Sequence, residues 1–150
     1  MKYKNQLVFF YPSIEIGGLT KNLFSLINSL SKKNYNINFI TFNDLEKNKV
    51  RKKLYSFDKK INVITPKFKI NKNNIYLKYF FCFLVLLKFL INNKILIISF
   101  QSNILSIIAA KMTNSKVIIR CNTAPSKYIS NFLKKIFFRL FYSLSDQILV

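Results

Sequence analysis

Six short, mostly apolar runs alternate with stretches of helical periodicity, and that alternation leaves a chain of this kind few ways to fold. The runs fall at residues 7–11, 37–42, 61–65, 95–100, 116–121 and 146–150. They predict strands buried in a parallel sheet, because βαβ crossovers cover both faces of such a sheet with helices. Between the first two runs, Leu19, Leu23, Leu26, Ile27 and Leu30 recur on one helical face, opposite Lys21, Asn28 and Lys32. Ser102 and Asn103 are expected to cap a helix packed through Ile104, Ile107, Ile108 and Met112. Residues 126–144 form an amphipathic pattern, with Ile129, Leu133, Ile136, Phe137, Leu140 and Leu144 expected to face the core. The predicted fold is α/β: a Rossmann-like, doubly wound parallel sheet, a single domain over residues 1–150, in strand order 3-2-1-4-5-6.

Gly17 and Gly18 are the only glycines, where a typical composition would supply roughly ten. They lie between the first predicted strand and the first predicted helix. A helix start offers free N–H groups and the positive end of the helix dipole, and glycine lets a phosphate approach the backbone. The competing reading is that the pair only makes the turn, since the G-x-G-x-x-G fingerprint is absent.

Charge is equally lopsided: 25 basic residues face five acids (Glu15, Asp44, Glu46, Asp58 and Asp146), for a net charge of +20. A polyanionic partner, either nucleic acid or an anionic membrane surface, would suit that balance. A/T-rich codon bias would raise Lys, Asn, Ile, Phe and Tyr together and explains it as well. The chain has no histidine, which removes the commonest general base and metal ligand, and no metal is expected. Cys82 and Cys121 lie far apart in apolar segments and read as buried free thiols of a reducing cytoplasm. Residues 7–11 are too short for a signal-peptide core.

The stretch 75–91, interrupted by Lys78 and Lys88, falls short of the ~20 apolar residues of a membrane span. It reads as a core helix or one lying partly in a membrane surface. On the later amphipathic helix, Lys127, Lys134, Lys135 and Arg139 gather opposite the apolar arc, with Phe138 and Phe141 beside them. That side is either membrane-facing or simply solvated.

Ligands of doubly wound sheets bind beyond the carboxyl ends of the strands where the strand order reverses. The expected strand order gathers Ser13, Glu15, Gly17 and Gly18 there with residues 99–102, and places Arg120, Asn122 and Thr123 nearby. Arg120 is one of three arginines and offers bidentate geometry to phosphate or carboxylate, or else a surface ion pair. Asn122 and Thr123 suit a sugar hydroxyl or phosphate oxygen, or are turn residues before Pro125. Asp44, after the second strand, reads as a turn or cap residue. No nucleophile–base pair and no paired carboxylates present themselves, so the catalytic residues are not identified.

The strand ending at Pro12, then Ile16-Gly17-Gly18-Leu19 opening a helix, then the later stretches Ile97-Ile98-Ser99, Val117-Ile118-Ile119-Arg120-Cys121-Asn122-Thr123 and Leu144-Ser145-Asp146-Gln147-Ile148-Leu149-Val150, together resemble the N-terminal domain of glycosyltransferase family 4. The resemblance implies one half of a GT-B architecture, whose two Rossmann-like domains face each other across a cleft. It implies metal-free, configuration-retaining transfer of a sugar from a nucleotide-sugar donor to a glycan or lipid-linked acceptor, in cell-surface polysaccharide synthesis. Gly17 and Gly18 would then approach the donor diphosphate, and Ser13, Glu15, Arg120, Asn122 and Thr123 would line the acceptor side. The chain departs from the family pattern by carrying Arg120-Cys121-Asn122 where many members have a histidine. The family's nucleotide-binding C-terminal domain, with its E-x7-E spacing, has no counterpart in these residues, so the chain is expected to be a fragment, a truncated product or one half of a split enzyme, and to lack transferase activity unless a separate chain supplies that domain. The expected location is cytoplasmic, peripheral to the inner membrane face. The alternative is a basic nucleotide- or nucleic-acid-binding module without catalysis, disfavoured because the aromatics sit in apolar runs rather than on a stacking platform.

Overall fold

The computed structural model describes residues 5–15, 17–43, 60–67, 74–121 and 132–149. Asp44, Asn122, Thr123, Lys127 and Ile129, together with most of the Lys-rich connection 45–60, lie outside the described residues.

Six strands, β1 (Gln6–Phe10), β2 (Asn36–Ile40), β3 (Asn62–Ile64), β4 (Leu96–Ser99), β5 (Val117–Arg120) and β6 (Gln147–Leu149), form one parallel sheet in the order β3-β2-β1-β4-β5-β6. Four helices are described: α1 (Gly18–Lys32), α2 (Ile75–Ile91), α3 (Asn103–Thr113) and α4 (Phe132–Ser143). The doubly wound α/β architecture expected from the alternation is therefore present, with the chain reversing direction across the sheet between β1 and β4.

β1 is the centre, and Val8, Phe9 and Phe10 are fully buried. Because successive strand residues point to opposite faces, β1 serves two cores. Leu7, Phe9 and Tyr11 pack with Leu23, Phe24 and Ile27 of α1 and with Phe39. Val8 and Phe10 pack with Cys82, Leu86 and Leu90 of α2, with Ile107, Ala109 and Ala110 of α3, and with Tyr142 of α4. One sheet face thus carries α1 and the other carries α2, α3 and α4, as right-handed crossovers require.

Two expectations are corrected. The first concerns the strands: all six were expected to be buried, but β3 is only partly covered and β6 is exposed along its length. Both are edge strands with a neighbour on one side only. The second concerns α4, whose Ile136, Leu140 and the following Leu144 are exposed instead of facing the core, at 41%, 62% and 46%. Among the described side chains of α4, Phe138, Phe141 and Tyr142 are half-buried, with Phe138 set edge-on to Tyr142 at 5.4 Å. Tyr142 packs against the core cluster that holds Ile107, Ala109 and Ala110 of α3.

Among the described residues, left-handed backbone, which glycine adopts most cheaply, occurs at Asn34, Ser102 and Asn114. Asn34 follows α1 and Asn114 closes α3, where asparagine substitutes tolerably for glycine. The two glycines sit elsewhere.

Candidate functional site

The carboxyl ends of β1, β2, β4 and β5 are tied into one rim by side-chain amides. The backbone N–H of Ser13 donates to Gln101 Oε1 at 2.9 Å, and that of Ile14 donates to Asn43 Oδ1 at 2.9 Å. Thr41 Oγ1 accepts from the Asn43 N–H at 3.2 Å, and the Phe42 N–H donates to the Pro12 carbonyl at 2.9 Å. The loop after β1 is thereby held from both sides. Its Ile14 is buried and anchors the turn in the core beneath α1.

The turn then enters α1. Buried Thr20 donates its hydroxyl proton to the Glu15 carbonyl and lies 3.2 Å from the Tyr11 hydroxyl. The first helical hydrogen bond runs from the Lys21 N–H to the Gly17 carbonyl. Gly17 supplies no side-chain cap, and the first turn holds no acid. The N–H groups of Gly18, Leu19 and Thr20 therefore have no acceptor among the described residues, and both glycines are exposed. Gly17 is extended (φ 176°, ψ 177°), a conformation open to any residue. A Cβ added at either position would meet nothing within 4 Å among the described residues. Nothing in the described fold requires glycine at either position.

On the β4–β5 side, Asn103 makes the connection. The Ser99 hydroxyl lies 2.9 Å from Asn103 Oδ1 and 3.2 Å from the Gln101 carbonyl, sharing its one proton between them, while Asn103 Nδ2 donates to the Arg120 carbonyl at 3.1 Å. Ser102 occupies the N-cap position of α3 but is left-handed (φ 57°) and makes no side-chain cap bond. The expected cap is therefore corrected: Asn103 crosslinks two strand ends instead.

Arg120 places its guanidinium 5.2 Å above the Phe100 ring, a cation–π arrangement that fixes its direction. Among the described residues no carboxylate pairs with it. Ser13, Glu15, Gly17, Gly18 and Arg120 thus all fall on the rim, with Ser13 and Arg120 linked through residues 99–103.

The sequence places Asn43, Gln101 and Asn103 at strand ends or a helix cap, but not as the side chains that tie the rim together, and it does not single out Tyr79. Burial first, and then the Glu15 carboxylate with Tyr11 and Tyr76, pushes the Tyr79 phenol above its usual range. Lys78 lies 5.8 Å over the Phe42 ring. The amide residues are signalled in sequence only by their places after strands 2 and 4.

Of the residues expected to face a membrane, Lys135 and Arg139 are exposed and Phe138 is half-buried. Lys134 lies on α4, its side chain outside what the structure describes, as does Lys127 altogether. No group of three or more His, Cys, Asp or Glu residues that could hold a metal occurs among the described residues.

No protein-family model matches the sequence, and no curated protein matches it. Among solved structures, the fold is similar to the crystal structure of a glycosyltransferase from Rickettsia africae ESF-5, with a TM-score of 0.59 at 17% sequence identity. The match covers 93% of this chain and 35% of that one.

Proposed function

We propose that this chain is the acceptor-side lobe of a sugar-transferring enzyme, and that its β1–α1 turn meets the diphosphate of a nucleotide-sugar donor. The observation that carries the reading is the placement of glycine. Three left-handed positions that would favour it hold Asn34, Ser102 and Asn114, while the only two glycines stand at an open helix start where the backbone needs neither. A position that glycine occupies without conformational need, beside N–H groups lacking acceptors among the described residues, suits a ligand that comes close to the backbone. The likeness to a glycosyltransferase over part of its length supports the same reading.

In finer terms, the chain is the N-terminal half of a GT-B enzyme of glycosyltransferase family 4, retaining in stereochemistry. It would move a sugar to a glycan or lipid-linked acceptor of the cell surface. The rim forms one wall of a cleft whose other wall, a second lobe, holds the nucleotide. Arg120, held in place by Phe100 and Asn103, lies where it could meet an anionic or hydroxylated acceptor. The side-chain amides of Gln101 and Asn43 act on the backbone of the turn and position it.

Equilibrium dialysis tests the binding claim. The chain should bind UDP or GDP near 1 mM, about 4 kcal/mol, with inorganic pyrophosphate competing and the bare nucleoside failing to bind. Nucleoside binding equal to that of the diphosphate, or diphosphate binding unchanged in Gly17→Val and Gly18→Val, would contradict it.

A further inference from the structure

Helix α2 turns apolar side chains to both sides. Cys82, Leu86 and Leu90 are buried against the sheet and α3. On the outward side the exposed positions run Tyr76, Phe80, Leu84, Lys88 and Ile91, with exposures of 81%, 51% and 42% for the first three and 73% for Ile91. Spacings of three and four residues make this one continuous stripe. A surface helix of a soluble domain ordinarily presents polar residues there.

The charge around the stripe has one sign. Helices α2, α3 and α4 contain no Asp or Glu, but carry Lys78, Lys88, Lys111, Lys134, Lys135 and Arg139. Lys88, Lys111, Lys135 and Arg139 are exposed, and so are the apolar Met112, Ile136 and Leu140 of α3 and α4. Of the two acids among the described residues, Glu15 belongs to the rim. The other, Asp146, accepts the Val117 N–H at 2.8 Å. Among the described residues no helix is long and apolar enough to cross a membrane.

We infer that the outward side of the α2–α3–α4 layer docks on an anionic bilayer, with α2 lying in the plane of the interface. Phe80, Leu84 and Ile91 enter the acyl boundary. Tyr76 sits at headgroup depth, where a ring with one polar end is favoured. Lys88 extends to the lipid phosphates. Charge complementarity selects this occupant: a layer of cations without a carboxylate attracts a surface of anionic headgroups, and a second copy of the layer would bring like charges together. The inference stands apart from the sugar-transfer reading and does not need it.

The absence of tryptophan supplies the experiment, because a single introduced indole reports its own surroundings. Leu84→Trp on α2 is compared with Leu26→Trp on the outer side of α1, across the sheet. Phosphatidylglycerol-containing vesicles should shift the Leu84→Trp emission to the blue and leave Leu26→Trp unchanged, and pure phosphatidylcholine vesicles should shift neither. In the parent chain, co-sedimentation with the anionic vesicles should fall steeply as salt rises from about 0.05 to about 0.5 M. Lys88→Gln should weaken it about fivefold, and Phe80→Ser with Leu84→Ser about tenfold or more, with unchanged circular dichroism. Equal binding to phosphatidylcholine, or equal shifts from both indoles, would overturn the inference. So would a stable dimer that ignores vesicles and dissociates on Phe80→Ser, which would give the stripe to a second copy.

Discussion

Replacing Asn103 with alanine cuts the tie between β4, β5 and the start of α3. Two side-chain hydrogen bonds disappear, to the Ser99 hydroxyl and to the Arg120 carbonyl, each worth about 1 kcal/mol net. The fully buried Ser99 hydroxyl keeps the Gln101 carbonyl as a partner at 3.2 Å, so it is not orphaned. The half-buried Arg120 carbonyl loses its side-chain donor, which offsets any escape from the loss. Better helix propensity of alanine in the first turn returns roughly 0.5 kcal/mol. The net expectation is a loss of about 1.5 kcal/mol, or a melting temperature lower by about 3–6 °C for a domain of this size. Urea unfolding followed by circular dichroism measures it, and Ser99→Ala with the double variant closes a thermodynamic cycle. The cycle should show coupling near 1 kcal/mol. An Asn103→Ala chain as stable as the parent, or strictly additive single changes, would refute the assignment of Asn103 as the crosslink that sets Arg120.

Other outcomes follow from the same geometry. Asn34→Gly and Asn114→Gly relieve left-handed strain at helix ends and should each stabilise the chain by about 0.5–1 kcal/mol in the same urea assay. Gly18→Ala meets open space at the first helical position; it should raise stability by about 0.5–1 kcal/mol while weakening diphosphate binding in dialysis. Burial pushes the Cys82 thiol up to about 12, so native Cys82 should resist iodoacetamide near neutral pH and react promptly in urea. The raised value also means that the folded state holds a proton the unfolded state releases above pH 9. Stability should therefore fall as pH rises from about 9 towards 12, by at most about 1.4 kcal/mol per pH unit from this group, and Cys82→Ala should flatten that slope.

Much of the architecture was legible in the residues because its signals are local. The short apolar run from Leu7 onward, bounded before Gly17, reads as a buried strand by its length, the recurrence of Leu23 and Ile27 reads as a helix by its period, and their alternation points to the usual doubly wound order. The placement of the glycine turn and Arg120 on one rim followed from that order. What escaped depends on partners distant in sequence. Gln101 and Asn43 look like ordinary loop amides until the fold brings them to the backbone of Ser13 and Ile14. The helical period of α4 does not show that Ile136, Leu140 and the following Leu144 are exposed while Tyr142 packs on the core, because the aromatic side chains lie beside the cations on its other side. The edge position of β6 is contained in the expected strand order, but its exposure is not, because Ile148 and Leu149 look like core residues in sequence.

The most direct test of the glycine turn uses the fact that the chain has two glycines and both belong to it. In an amide NMR spectrum of the ¹⁵N-labelled chain, the signals of Gly17 and Gly18 report the turn without interference from other glycines. Titration with pyrophosphate or a nucleoside diphosphate should move both, together with Leu19, at ligand concentrations that leave the amides of β3 in place. Movement spread evenly over the exposed lysine-bearing surface, with the two glycine signals stationary, would contradict the account.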